Sequence, residues 1–373
     1  MMAQMTGGLI GQACGFVFLA AIGAAQENRL AQLHGHDPYF PGRACARLVT
    51  PQWVGEKGVE AVVMLSIDDL RAPEPYEAFL RPLLERLKAL EGRAALSVMV
   101  NSLAADHPQV PQWLAEGLSL ETHTQSHPCP LLAGGDLTAA RSTYERCIDE
   151  LRWASGVQPV AFRMPCCDSI NSVSPRFFAT IFERTSPSGA FLAIDSSVFQ
   201  LFTADERRNA RELVLDASGE ERFRPYLPAD RAFANWIEDY PYPYVIGRST
   251  WELPCATPSD WQGQHRFGPN DPRTVADWKA ALDLTVAARG VFTLVFHPHG
   301  WIRSEQVIEL VEHGSREHGA ALRYLNFRDV LARLEQNLLA GHPLRRPDGS
   351  WNGVLLLDVD GDGYQDVLIA NER

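Results

Sequence analysis

AVVMLSI, residues 61 to 67, is a continuous apolar run of strand length followed directly by Asp68 and Asp69. A strand with one wet face alternates apolar and polar residues. A run without a polar break belongs to a strand covered on both faces, as in a parallel sheet. Working outward, Pro75 to Leu90 repeats apolar residues at helical spacing. Ala94 to Val100 is a second buried strand, Val110 to Glu116 a short helix, and Leu118 to Thr122 a third strand. Asp136 to Ser155 reads as a long helix with Asp136 as its N-cap. Pro159 to Phe162 is a strand, Ser174 to Glu183 a helix opened by Ser174-Pro175, and Phe191 to Ile194 a strand. After a less regular stretch, 196 to 250, the alternation resumes. It gives helix Thr274 to Arg289, strand Val291 to Phe296, helix Ser304 to His313, strand Leu322 to Leu325 and helix Phe327 to Leu339. Buried strands alternating with helices imply an α/β architecture with a parallel sheet. About seven such units fit a (β/α) barrel, with an open doubly wound sheet as the alternative.

The 373 residues carry a formal net charge of -12, so no basic field exists to meet phosphates and a nucleic-acid partner is excluded. No apolar run reaches the roughly 20 residues that a transmembrane span needs. Cys14 to Ala25 is a short apolar stretch ending in small residues, and cleavage before Gln26 would make residues 1 to 25 a signal peptide. Residues 1 to 28 lack Lys and Arg, so the usual positive start is missing. This reading places the protein outside the cytoplasm, secreted or in the periplasm or cell envelope. Of the seven cysteines, loss of Cys14 leaves six that can pair; the other reading is buried thiols acting as small hydrophobes.

Barrel active sites sit at the C-terminal ends of the strands. Each strand end here carries a useful group: Asp68-Asp69, His123 with His127, Arg163, Asp195, and His297 with His299. HTQSH places two imidazoles four residues apart, which on a helical turn share one face. With one carboxylate they make a His-His-Asp set, and three protein ligands with an open fourth position is the pattern of catalytic zinc. Of two adjacent carboxylates in different environments, one can bind metal while the other stays free as a base. Arg163 is a surface cation or the partner of a carboxylate. At least one of His297 and His299 is suited to proton transfer.

The ordered motifs SIDDL (66 to 70), HTQSH (123 to 127), FRMPCC (162 to 167) and LVFH (294 to 297) resemble those of the polysaccharide deacetylases, carbohydrate esterases of family four. The resemblance runs over roughly residues 50 to 340, within a barrel region assigned to 26–339. It implies a distorted barrel in which Asp69, His123 and His127 hold a divalent metal, zinc above all. Asp68 is then the base, Arg163 steadies it, and His297 is the acid. Pro165 and Cys166 lie beside the substrate, with a backbone N–H near Cys166 stabilising the oxyanion. Trp251, Trp261 and Trp301 are able to stack on a sugar face or to pack in the core. Leu70 departs from the family's glycine, Cys166-Cys167 from its Tyr-Gly, and HPHG (297 to 300) is similar to the branch that includes amidases of small cyclic amides.

A polar linker, 340–353, precedes a different kind of segment, 354–373. DVDGDGYQD (358 to 366) spaces Asp358, Asp360, Asp362 and Asp366 alternately, with the Tyr364 carbonyl in reach, as a calcium loop does. It resembles the loop of FG-GAP repeats, of which this would be a partial one. A single repeat cannot bury its own core, so either the chain is cut from a longer protein or the unit docks on the barrel. Three functions follow: N-deacetylation of a chitin-like or peptidoglycan-like polysaccharide, hydrolysis of a small cyclic amide by the same metal site, or non-catalytic carbohydrate binding and adhesion.

Overall fold

The structure, a computed structural model, describes residues 39, 41–167, 174–227 and 236–370. The candidate signal peptide, 1 to 25, lies outside them. The strands are β1 (Ala61–Leu70), β2 (Ser97–Val100), β3 (Ser119–Thr122), β4 (Ala161–Phe162), β5 (Ile194–Asp195), β6 (Phe199–Leu201), β7 (Trp236–Glu238), β8 (Tyr244–Ile246), β9 (Thr250–Glu252), β10 (Cys255–Ala256), β11 (Val291–Phe296) and β12 (Leu322–Tyr324). They form one sheet in the order β7-β6-β10-β11-β1-β2-β3-β4-β5-β9-β8, and β12 pairs with the start of β1. Every pairing is parallel except β8 with β9. The sheet curls into a half-barrel, the distorted barrel expected and not the open doubly wound alternative.

The main helices are α1 (Pro73–Glu91), α2 (Gln109–Glu116), α3 (Leu137–Ser155), α4 (Asp260–Phe267), α5 (Pro272–Ala288), α6 (Ser304–His318) and α7 (Phe327–Arg333). Helix α1 shows how they cover the sheet. Tyr76, Leu80, Leu83, Leu84 and Leu87 fall at helical spacing on one stripe, and all are buried with Ala61, Val63, Leu65 and Ile67 of β1. Each such side chain withdrawn from water contributes about 1.5–3 kcal/mol. Asp136 caps α3 as expected, accepting from the N–H groups of Thr138 and Ala139.

Two details differ from expectation. The irregular stretch 196 to 250 contains strands β6 to β8, and β8 and β9 form an antiparallel hairpin. The helix expected to end at His313 runs on to His318. Gly314 does not stop it, because it is a packing glycine: a Cβ there would meet Tyr324 Oη at 2.9 Å and Leu282 Cδ2 at 3.1 Å.

The C-terminal segment is a two-stranded antiparallel sheet, β13 (Val354–Leu357) with β14 (Asp366–Ile369), and the acidic loop spans its turn. It docks on the barrel. Arg47 N–H donates to Gly363 O and Gln365 N–H to Arg47 O, while the Arg47 guanidinium lies 5.0 Å from the Tyr364 ring centre.

Candidate active site

Register brings the strand ends level. Ile67 of β1 pairs with Phe296 of β11, so Asp68 and His297 follow side by side. Thr122 pairs with Phe162, so His123 and Arg163 follow side by side.

On a regular strand Asp68 and Asp69 would point to opposite faces. The pairing of β1 with β2 shifts between Ile67 and Leu70, and Asp69 takes a left-handed φ of 74°. This bulge turns both carboxylates onto the rim. The histidines converge by a loop, not by the helical turn that their spacing suggested. Thr124 and His127 have φ of 60° and 52°, and Asn101 Nδ2 donates to the carbonyls of His123 and Thr124. The two rings lie 5.0 Å apart.

His127 Nε2 lies 2.8 Å and His123 Nε2 3.3 Å from Asp69 Oδ1, an oxygen without a hydrogen-bond partner. His123 Nδ1 is 2.8 Å from the Arg163 carbonyl, which only accepts. Nδ1 therefore carries the proton, and in the neutral ring Nε2 presents a lone pair to a carboxylate oxygen. A cation between them, or a proton on Nε2, joins two such atoms. The backbone carbonyl that orients the imidazole is the usual outer support of a metal-binding histidine. The donor set fits a divalent cation.

Two groups flank this centre. Asp68 is buried and accepts at Oδ1 from Arg163 Nη1 at 2.7 Å, and its Oδ2 is 3.9 Å from His123 Nε2. Arg163 is not a surface cation: its side chain is fully buried, and it also donates to Ser66 Oγ, Ser196 O and Ser196 Oγ. Across the site, the backbone N–H and Nδ1 of His297 both meet the Asp260 carboxylate at 2.8 Å, which leaves Nε2 facing the pocket. Burial disfavours the imidazolium, but the adjoining Asp260 outweighs it and pushes the pKa up to about 10. His299, exposed, contacts Asp69 Oδ2 at 3.0 Å. Asp195 does not join the site. It is buried against Glu252 and accepts from Ser197 Oγ, and burial raises both carboxyls, that of Asp195 to about 6.

Asp68, Asp69, His123, His127 and His297 line one pocket, closed by Cys166, Trp261 and Trp301. Its volume is about 100 Å³, room for roughly three waters or an acetamide-sized group. Trp301 packs edge-on to His297 at 4.9 Å. Trp251 is a correction to the expected substrate contacts: it points away from this rim, fully buried, and lines a separate cavity with Phe191 and Leu331. Pro165 is buried and not on the pocket wall.

No family model matches the sequence, and no curated protein matches it. Solved structures do. A structure described as a probable polysaccharide deacetylase from Pseudomonas aeruginosa aligns with TM-score 0.50 and 14% identity, over 77% of this chain and 94% of that one. A Puue allantoinase aligns with TM-score 0.51 and 13% identity, over 79% and 94%. The chain has the polysaccharide deacetylase fold. Within it, the partners of the two flanking groups, Arg163 of Asp68 and Asp260 of His297, differ in legibility. Arg163 stands in a motif, whereas Asp260, on the first turn of α4, meets His297 from 37 residues away and has no local signal.

Asp260→Asn keeps an acceptor for Nδ1 but removes the charge that holds the proton on His297. Its pKa then falls. An acid works only while protonated, so the alkaline limb of the rate profile is expected to move to lower pH by about one to three units. An unmoved limb in a pH–rate series would show that His297 is not the titrating acid.

One feature of this rim was not assigned from the sequence. Cys129, two residues after His127, is bonded to Cys166 on the pocket wall. Cys147, Cys167 and Cys255 are buried thiols. The bridge closes a loop with a sequence separation of 37, for which chain entropy gives about 4 kcal/mol. The pair Cys129→Ser/Cys166→Ser is expected to lower the urea midpoint accordingly, and reductant should reproduce the shift only in the wild type.

Proposed function

We propose that the protein is a metal-dependent amide hydrolase that removes N-acetyl groups from a polysaccharide of the chitin or peptidoglycan kind. The observation that carries the reading is the convergence of His123 Nε2 and His127 Nε2 on Asp69 Oδ1, with the Asp68–Arg163 pair on one side and the His297–Asp260 pair on the other. Asp69, His123 and His127 would hold the cation, zinc by the chemistry of two imidazoles and a carboxylate. When bound, such a cation supplies Lewis-acid polarisation of a carbonyl and lowers the pKa of water.

The chain's own groups account for the protons. Asp68 takes one from the attacking water, held in place by Arg163. His297 gives one to the amine nitrogen as the C–N bond breaks, so acetate and a free amine leave. A backbone N–H near Cys166, on the wall, would donate to the oxygen that becomes negative. Trp261 and Trp301 at the mouth offer faces for a sugar ring.

A second reading, hydrolysis of a small cyclic amide, is favoured by one observation. The pocket is small, and HPHG places His299 beside Asp69. Protein stripped by a chelator and reloaded with zinc separates the two. Acetate release from N-acetylglucosamine oligomers or peptidoglycan supports the first. Ring opening of allantoin without acetate release supports the second, and neither activity sinks both.

The disulfide suits an oxidising compartment, so the proposed location is outside the cytoplasm, secreted or at the cell envelope. Among the described residues no helix is long and apolar enough to cross a membrane. In the C-terminal hairpin, oxygens of Asp358, Asp360 and Asp366 lie within 4.8 Å of one another, which supports calcium as the ion of that loop, with Asp362 and Tyr364 beside them. The docked hairpin supports a barrel accessory over an adhesion propeller.

A further inference from the structure

Helices α5 and α6 flank β11, the strand that delivers His297. Their exposed seam is built in register. Lys279 Nζ meets Glu309 Oε1 at 2.6 Å, and one turn further on each helix Asp283 meets His313 at 2.8 Å. His318, the last residue of α6, reaches the same oxygen, with Nε2 2.7 Å from Asp283 Oδ1. Two imidazoles and one carboxylate thus place ligand atoms within 4.8 Å of one another. Asp69, His123 and His127 are the same donor set, likewise with ligand atoms within 4.8 Å of one another.

We propose that Asp283, His313 and His318 form a second, non-catalytic site for a divalent transition-metal ion of the zinc class, which clasps α5 to α6. Imidazole with carboxylate suits zinc, nickel and copper rather than calcium or magnesium. Three protein ligands leave room for water, and the half-buried side chains leave the site open to solvent. The frame is rigid. Gly314, next to His313, lets α6 press against Leu282, next to Asp283, so the ligands stand on closely packed backbones. The position also suits a cation electrostatically. His318 ends α6, where the last carbonyls concentrate partial negative charge. The neighbouring charges are already matched, since Glu309 pairs with Lys279, Glu312 with Arg86 and Glu317 with Arg316. They neither compete for the ion nor repel it.

This site does not depend on the catalytic reading, and its test keeps the two apart. The full chain is stripped with chelator, loaded with zinc, desalted and analysed for bound zinc per chain. His313→Ala/His318→Ala is expected to retain one equivalent less than the wild type, with the hydrolytic activity unchanged. Asp69→Ala would lose a different equivalent. Asp283→Asn preserves the shape and an acceptor for both imidazoles but not the charge, and it should also lose one equivalent. His318→Ala alone, at the helix end, serves if the double variant does not fold by circular dichroism. Equal zinc content in the wild type and these variants would mean that the histidines merely hydrogen-bond to Asp283, and would overturn the proposal.

Discussion

Asp69→Ala and His123→Ala are each expected to empty the catalytic metal centre and to abolish hydrolysis. The proposed set has three protein ligands, both imidazoles drawn to Asp69 Oδ1. Removing the carboxylate deletes the one anion that makes two neutral imidazoles a cation site. Removing His123 deletes the ligand whose ring is already oriented by the Arg163 carbonyl. Neither change touches the apolar core of β1, so both variants should fold. The measurement is metal content after equilibration and desalting, with thermal unfolding alongside. Full catalytic-site occupancy in either variant would refute the assignment.

Asp68→Asn should leave metal content near wild type and lower turnover by about 10²- to 10⁴-fold, the usual share of one general base. Asparagine has nearly the same shape but cannot take a proton. The substitution also leaves Arg163 buried without its counter-charge, and breaking such a pair costs about 3–5 kcal/mol. Unfolding curves must therefore accompany the kinetics, so that lost activity is not confused with lost protein. His297→Ala should match it in rate, and the two variants should flatten opposite limbs of the bell-shaped pH profile. His299→Ala is the control. His297 has a buried carboxylate behind it and its Nε2 toward the pocket, 3.9 Å from Asp69 Oδ2, whereas His299 is exposed. Near wild-type rates in both Asp68→Asn and His297→Ala would remove these residues from the reaction.

The barrel was legible because its strands are buried on both faces. AVVMLSI and VFTLVF carry no charged residue, and their one hydroxyl each, Ser66 and Thr293, is buried with the rest. The placement of Asp68, His123, Arg163 and His297 at the ends of those strands was legible for the same reason. What escaped reading depended on backbone conformation or on distant partners. The HTQSH spacing predicted a helical turn, but the convergence comes from left-handed residues, which spacing does not encode. Three tryptophans looked equivalent, and only tertiary packing sends Trp251 inward while Trp261 and Trp301 reach the pocket. Asp260 behind His297, and Cys129 bonded to Cys166, join segments 37 residues apart. The Asp283 cluster was hidden by Gly314, since a glycine after His313 reads as the end of a helix.

The bulge at Asp69 sets two demands on one residue. A left-handed backbone costs a side-chain-bearing residue about 1–2 kcal/mol, a cost that glycine escapes. The backbone at this position therefore selects glycine, while the centre selects a carboxylate. Under the proposed function, selection for catalysis holds the strained residue. A laboratory screen for heat resistance alone would be drawn to release it, and its most stable winners would carry a well-folded barrel with no chemistry left at its rim. Stability-guided engineering of this protein has to fix position 69 before it begins.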